Sequence, residues 1–224
     1  MPIYKKVDKD FFKKWTPEMA YVLGFFAADG NLSVNKRGGC YISFHSKDQQ
    51  IILEIRKVLK SKNKIAKRIN KFNKGFYYRL QIGSKEIVHI LQNMGFSTIK
   101  TKHLPFPSIP QNMISHFVRG YFDGDGNIWF GYVHKERRTK LKVLQLAFTS
   151  GSFDFLSQLK CNLHDLLKTQ GSHVVSKKGS YSRLQYSTND ALKIHDFMYN
   201  TNTSYLCLKR KKRQFNMHIR NLRP

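Results

Sequence analysis

Two segments of the chain end alike. Val22-Leu-Gly-Phe-Phe-Ala-Ala-Asp-Gly30 and Val118-Arg-Gly-Tyr-Phe-Asp-Gly-Asp-Gly126, at an offset of 96 (118 − 22), each carry an apolar stretch into Asp-Gly. Gly24 and Ala28 lie one helical turn apart on a single face, as do Gly120 and Gly124, so each helix offers a side with almost no side chains. Two such faces can pack with their backbones close, and that packing would bring Asp29 and Asp125 to one place. Paired carboxylates repel and are costly to desolvate, which a structural role explains poorly. A divalent cation between them explains them well, and Mg²⁺ suits carboxylate, carbonyl and water ligands together with phosphate oxygens.

The elements that must position these carboxylates are also written twice. Lys74-Gly-Phe-Tyr-Tyr-Arg-Leu-Gln81 matches Lys178-Gly-Ser-Tyr-Ser-Arg-Leu-Gln185 at 104 (178 − 74), and Ile99-Lys-Thr-Lys102 matches Leu208-Lys-Arg-Lys211 at 109 (208 − 99). A stepwise growing offset is the behaviour of two copies of one unit with loop insertions in the second. The first insertion is expected in Trp129 to Lys142, as a charged loop. Thr16-Pro17 is a helix start, with a capping hydroxyl before Pro at the first helical position. Cys40, Ile42 and Phe44 alternate with Tyr41, Ser43 and His45, and Leu144, Leu146 and Phe148 with Gln145, Ala147 and Thr149, which predicts half-buried strands. Asp48 to Leu59 and Phe153 to Leu163 return to helical spacing. Phe76 to Ile82 alternates again, and Glu86 to Met94 closes the unit as a helix. Leu104-Pro-Phe-Pro-Ser-Ile-Pro110, with three prolines in seven residues, predicts an extended linker at about 103–112 between a unit over 1–106 and a unit over 107–224.

Composition names the partner. Forty Lys and Arg against 14 Asp and Glu make the 224-residue chain about +26. Residues up to 112 hold 21 basic and 7 acidic side chains and the rest 19 and 7, or +14 and +12. An enzyme for small anions needs a local basic pocket; charge in bulk, shared by both copies, suits nucleic acid. At 41% hydrophobic and 13% aromatic the chain has material for a core and is no disordered basic tail. The longest uncharged apolar stretch, Met19 to Ala28, is too short to span a bilayer, and the N-terminus has no secretory pattern. Three cysteines without CxxC spacing make a disulfide framework or a zinc knuckle a poor reading and point to a reducing compartment.

If Ile42 and Phe44 face the core, the opposite strand faces are polar and carry the same trio twice: Tyr77, Arg79, Gln81 and Tyr181, Arg183, Gln185. Arg paired with G and Gln with A are the usual major-groove contacts, while Tyr and Lys can hold phosphates. Other candidates in the first copy are Ser33, Asn35, Arg37, Tyr41, Ser43, His45, Arg68 and Asn70. In the second they are Asn127, Trp129, His134, Lys142, Gln145 and Thr149. The copies differ at most of these positions, so the site read should be long and non-palindromic.

The paired VLGFFAADG and VRGYFDGDG segments, the Pro-rich run before the second and the stretch YLCLKRK near the end resemble a single-chain LAGLIDADG homing endonuclease, over roughly residues 16 to 215. The resemblance implies an α+β fold of two pseudo-symmetric αββαββα units, with antiparallel sheets forming a DNA-binding saddle and signature helices packed at the interface. It places the catalytic metals on Asp29 and Asp125, with the backbone oxygens of Ala28 and Gly124. The first acidic position of the signature is Ala27 in one copy and Asp123 in the other, and Asp123 is left out of the site. A lysine of the active-site solvent network falls on Lys100 and Lys209, with Lys102 and Lys211 as the neighbouring choices. A polar residue at the end of the second strand falls on Ser46 and Ser150. The implied activity is a metal-dependent double-strand cut across one minor groove with short 3′ overhangs, at a long asymmetric duplex target. Mg²⁺ is the implied cofactor, with Mn²⁺ as a substitute and Ca²⁺ binding without cleavage. A monomer on double-stranded DNA, with no membrane partner, is expected. The alternatives are an intron RNA maturase, with its own intron RNA as partner, and a non-cleaving DNA-binding relative. Lys-, Asn- and Ile-rich usage fits an AT-rich genome, and hence an organelle, mitochondrion or chloroplast, or the bacterial cytoplasm.

Overall fold

The alternating segments build two separate four-stranded antiparallel sheets, each backed by helices. The computed structural model describes residues 5–69, 75–98, 104–133, 136, 138–176, 180–200 and 206–222. The first copy runs α1 (Pro17–Asp29), β1 (Gly30–Val34), β2 (Cys40–Ser46), α2 (Gln49–Val58), β3 (Ile65–Ile69), β4 (Phe76–Gly83) and α3 (Lys85–Asn93). The second runs α4 (Ile114–Asp125), β5 (Gly126–Val133), β6 (Leu141–Ser150), α5 (Phe153–Leu167), β7 (Ser172–Val175), β8 (Ser182–Tyr186) and α6 (Thr188–Tyr199), followed by α7 (Lys209–Leu222). The strand orders are β1-β2-β4-β3 and β5-β6-β8-β7, one topology repeated. Among the described residues no helix is long and apolar enough to cross a membrane.

Local chemistry sets the helix starts. Thr16 Oγ1 accepts from the Met19 amide at 3.1 Å with Pro17 behind it, and Asp48, Ser84 and Ser152 cap α2, α3 and α5 in the same way. One face of the first sheet buries Ile42, Phe44, Leu80 and Ile82 beneath Ile51, Ile52 and Ile55 of α2 and Ile87, Val88 and Leu91 of α3. The second buries Leu144, Leu146, Phe148 and Leu184 beneath α5, α6 and Phe215 of α7.

One expectation changes. Trp129 to Lys142 is not simply a charged loop: β5 and β6 extend into it, pairing Val133 with Leu141, so the extra residues lengthen a hairpin that keeps its strand hydrogen bonds. The basic run at Lys209 is helical. By packing, the chain divides into Met1–Lys100 with Pro107–Gly124 and Thr203–Cys207, and Thr101–Phe106 with Asp125–Asn202 and Leu208–Pro224. Within the first of these, α4 up to Gly124 packs with α1.

That helix pair is built on reciprocal absence of side chains. A Cβ at Gly24 would fall on the Phe117 carbonyl oxygen, with the Tyr121 amide nitrogen at 2.9 Å. A Cβ at Gly120 would fall on the Tyr21 carbonyl oxygen, with the Phe25 amide nitrogen at 2.9 Å. The colliding atoms are backbone and cannot swing aside. Around this crossing α1 is buried from Met19 to Ala27 on all sides, which its apolar composition permits.

Polar groups are buried there too. Arg119 and Asp123 are each 2% exposed and are the only buried charged side chains among the described residues apart from His116, whose ring is held neutral. They stand four residues apart, on one face of α4. The Tyr21 hydroxyl donates to Asp123 Oδ2 at 2.7 Å, and the Arg119 guanidinium lies 5.5 Å from the centre of the Tyr21 ring. Arg119 Nη2 donates to His116 Nδ1 at 3.0 Å. A guanidinium has no acceptor, so Nδ1 must carry its lone pair and His116 its proton on Nε2. Burial, then the charge of Arg119, lower the His116 pKa to about 4. The offset of 96 matches Tyr21, Leu23 and Ala27 with Phe117, Arg119 and Asp123. Where α1 supplies a hydroxyl α4 supplies its acceptor, and at the mirrored positions both groups are missing.

Gly120→Ala should lower unfolding free energy in urea by about 1–3 kcal/mol or prevent folding, since the added methyl forces two backbones apart. Asp123→Ala should cost about 1–3 kcal/mol by leaving the buried Tyr21 hydroxyl without its acceptor. The triple change Tyr21→Phe, Arg119→Leu, Asp123→Ala, which repeats the apolar pattern, should recover most of that loss in the same titration. The depressed His116 pKa means that the unfolded chain binds the extra proton. Its contribution to stability is complete above about pH 6.5 and is lost as pH falls towards 4. Melting temperatures measured over that window should fall more steeply for the native chain than for His116→Gln, whose amide accepts from Arg119 without titrating.

Candidate functional site

Each signature helix runs straight into a strand. α1 ends on Asp29 and β1 starts at Gly30; α4 ends on Asp125 and β5 starts at Gly126. Both carboxylates therefore sit at joints held from two sides, Asp29 half-buried and Asp125 exposed. A helix C-terminus carries the negative end of the backbone dipole, so an acid there is unfavourable unless a cation is near. Neither helix has a basic residue in its last turn. A bound cation would offset that cost, and hard oxygen donors, the carboxylates with the Ala28 and Gly124 carbonyls, are what Mg²⁺ accepts. Among the described residues no group of three or more His, Cys, Asp or Glu could hold a metal. Each joint offers one carboxylate and one carbonyl, hard oxygens of the kind an ion that keeps waters in its shell would accept.

The lysines divide by role. Lys209 opens α7 and is exposed, whereas Lys211 Nζ donates to the Gly126 carbonyl at 2.7 Å and ties the start of α7 to the residue after Asp125. Lys100 and Lys102 lie outside the described residues. Ser46 Oγ accepts from the Asp48 amide and Ser150 Oγ from the Ser152 amide, both at 3.1 Å. The two serines thus hold the same turn, from the second strand of each copy into the following helix.

The cross-strand pairs define the polar faces. In the first sheet Ser33 pairs with Tyr41, Ser43 with Gln81, His45 with Arg79 and Arg68 with Tyr77. In the second Trp129 pairs with Gln145, and Thr149 with Arg183. Residues directly opposite share a face, so these candidates stand together on the sides away from the helices. Tyr181 precedes β8, with the Arg183 guanidinium 5.5 Å from its ring centre. Asn127 is exposed and pairs with Ala147, itself opposite Gln185.

Four candidates need separate placing. Lys142 is corrected: its even position puts it on the helix side with Leu144 and Leu146, where Nζ donates to the Asn221 carbonyl at 3.1 Å and lies over the rings of Phe130 and Tyr132. Ser43 is on the polar face but only 1% exposed, and its hydroxyl has no hydrogen-bond partner among the described residues. It is the floor beneath its longer neighbours and is not a free reader. Asn35 spends its carbonyl on the turn from β1 to β2, accepting from the Arg37 and Gly39 amides at 3.0 and 2.7 Å, which leaves Arg37 exposed at the tip. Asn70 and His134 lie outside the described residues.

The buried Tyr21–Asp123 and His116–Arg119 contacts were not foreseen. Their only sequence signal is the appearance of Arg119 and Asp123 where the first copy has Leu23 and Ala27.

Comparison with known proteins joins these features. Residues 16–95 match the model of the LAGLIDADG-like domain. The I-LtrWI LAGLIDADG homing endonuclease bound to target DNA aligns at a TM-score of 0.62 and 13% identity, over 92% of this chain and 90% of that one. The homing endonuclease I-WcaI bound to its DNA recognition sequence aligns at 0.62 and 16% identity, over 92% and 91%. The I-SmaMI LAGLIDADG homing endonuclease bound to cleaved DNA aligns at 0.61 and 16%, over 92% and 88%. The chain thus carries a LAGLIDADG-like domain and has the two-unit LAGLIDADG homing endonuclease fold. Comparison with curated proteins finds no match.

Because Lys211 is spent on a backbone carbonyl, Lys211→Met should destabilise the second unit by about 1 kcal/mol. Lys209→Met, at an exposed position, should be neutral within about 0.5 kcal/mol in the same chemical denaturation.

Proposed function

We propose that the chain is a site-specific DNA endonuclease that hydrolyses one phosphodiester bond in each strand of a long, asymmetric duplex target with divalent metal, Mg²⁺ by preference. The observation that carries this reading is the doubled Asp-Gly joint. Each apolar helix delivers one carboxylate to the edge of a sheet whose polar face holds Arg and Gln among few acids. The matched structures, described as homing endonucleases bound to DNA, support the same class.

In this proposal the excess of base over acid draws the duplex onto the sheets by phosphate neutralisation. Arg79, Gln81, Arg183 and Gln185 then select bases through the major groove. Asp29 with the Ala28 carbonyl, and Asp125 with the Gly124 carbonyl, would each offer hard oxygens to a divalent ion, which when bound would supply a water of lowered pKa and offset charge on the departing 3′ oxygen. Lys209, exposed at the start of α7, offers an ammonium to the scissile phosphate, and Lys211 keeps that helix start in place. Nothing in the site calls for a covalent enzyme intermediate.

The test starts from a randomised duplex pool, from which the full chain selects its target. On the selected duplex with Mg²⁺, Asp29→Asn and Asp125→Asn should each lower the cleavage rate by at least about a thousandfold, the scale expected for loss of a metal ligand. Binding measured with Ca²⁺ should persist. Full cleavage by either variant, or no cleavage by the native chain, would overturn the proposal.

A further inference from the structure

The two polar faces are not chemically equal. Their ladders correspond residue by residue, since Gly30 pairs with Phe44 as Gly126 pairs with Phe148. Counting from these pairs, Gln81 and Arg79 correspond to Gln185 and Arg183, and both faces keep them. Around them the first sheet has Ser33, Ser43 and Ala66, and the second has Trp129, Ala147 and Val174. Trp129 is larger and more apolar than Ser33 and Val174 is larger than Ala66, while Ser43 and Ala147 are both buried.

The apolar atoms are presented to solvent. Trp129 is 41% exposed and Val174, directly opposite Arg183, is 45% exposed. A Cβ at Gly131, two residues along β5, would lie 2.7 Å from Trp129 Cζ2 and 3.1 Å from Cη2. The indole therefore lies across the strand over a glycine that leaves room for it, and forms an apolar plate level with its neighbours. Such a plate among groups that donate hydrogen bonds needs a partner that alternates polar edges with apolar points. The major groove of DNA is such a surface, and its apolar point is the C5-methyl of thymine.

We propose that the second sheet reads thymine methyl groups through Trp129 and Val174, so that the half of the target lying on β5 to β8 is the thymine-dependent half. This rests on the reading of the chain as a sequence-specific DNA-binding enzyme. The first sheet, with Ser33 in place of Trp129 and Ala66 in place of Val174, offers less apolar surface at these two positions.

The experiment uses the full chain in Ca²⁺ and the duplex it selects from a randomised pool, with deoxyuridine replacing thymidine in one half at a time. This removes only the methyl groups. Substitution in one half should weaken binding by about fourfold for each contacted methyl, the worth of a buried methylene-sized group, and substitution in the other half should leave it unchanged. Val174→Thr, which keeps the shape of an exposed residue, should weaken binding to the thymidine duplex but not to the deoxyuridine one, cancelling about one methyl's share of the difference. Equal sensitivity of both halves, or a full deoxyuridine penalty in Val174→Thr, overturns the proposal. Selective binding indifferent to deoxyuridine overturns it while sparing the enzyme reading, and no selected duplex at all overturns both. If this face instead seats a second copy of the chain, Val174→Thr will shift the sedimentation coefficient and the deoxyuridine comparison will be flat, which also overturns it.

Discussion

The close approach of α1 and α4 is the constraint on which the rest depends. Gly24 faces the Phe117 carbonyl and Gly120 the Tyr21 carbonyl, so the helices meet backbone to backbone over the middle of each signature segment. Interiors packed to this density do not deform continuously. The crossing therefore fixes where the C-terminal ends of both helices lie, and each of those ends passes into a strand without an intervening loop. Joints of this kind hold an acidic side chain more firmly than a mobile loop would, as a metal site requires.

Buried charge at the same crossing serves position more than stability. A buried hydrogen bond to a carboxylate penalises any arrangement that separates its partners, because each is then left unsatisfied. Sliding α4 by one turn along α1 would leave Asp123 without the Tyr21 hydroxyl while Arg119 stayed buried. The glycines alone would tolerate that slip better, because small-residue faces are similar at successive turns.

How much of this was legible in the sequence follows from periodicity. The order of helices and strands, the caps at Thr16 and Asp48 and the twofold repeat are local patterns, and local patterns survive into the fold. Lys142 was misplaced because its charge was read ahead of its parity with Leu144 and Leu146. The strand extension beyond Trp129 was hidden because charged residues on a long hairpin resemble those of a loop. α7 was obscured by the run Lys209 to Arg213, whose burial rests on Phe215 and on the stacking of His218 against Phe130. Ser43 and the Tyr21–Asp123 contact depend on neighbours that are distant in sequence, and no local pattern reports them. That Asp29 and Asp125 end their helices was legible because each closes a patterned segment. The hydrogen bond from Lys211 to the Gly126 carbonyl joins residues distant in sequence and left no local signal.

The one-sided hydroxyl–carboxylate contact between α1 and α4 bears on ancestry. Two chains each built from the first copy would place Tyr21 against Ala27, a buried hydroxyl without its acceptor. Two built from the second would place Phe117 against Asp123, a buried acid without its donor. Each helix is thus a half that only the other completes, and neither copy paired with itself would satisfy the groups it buries.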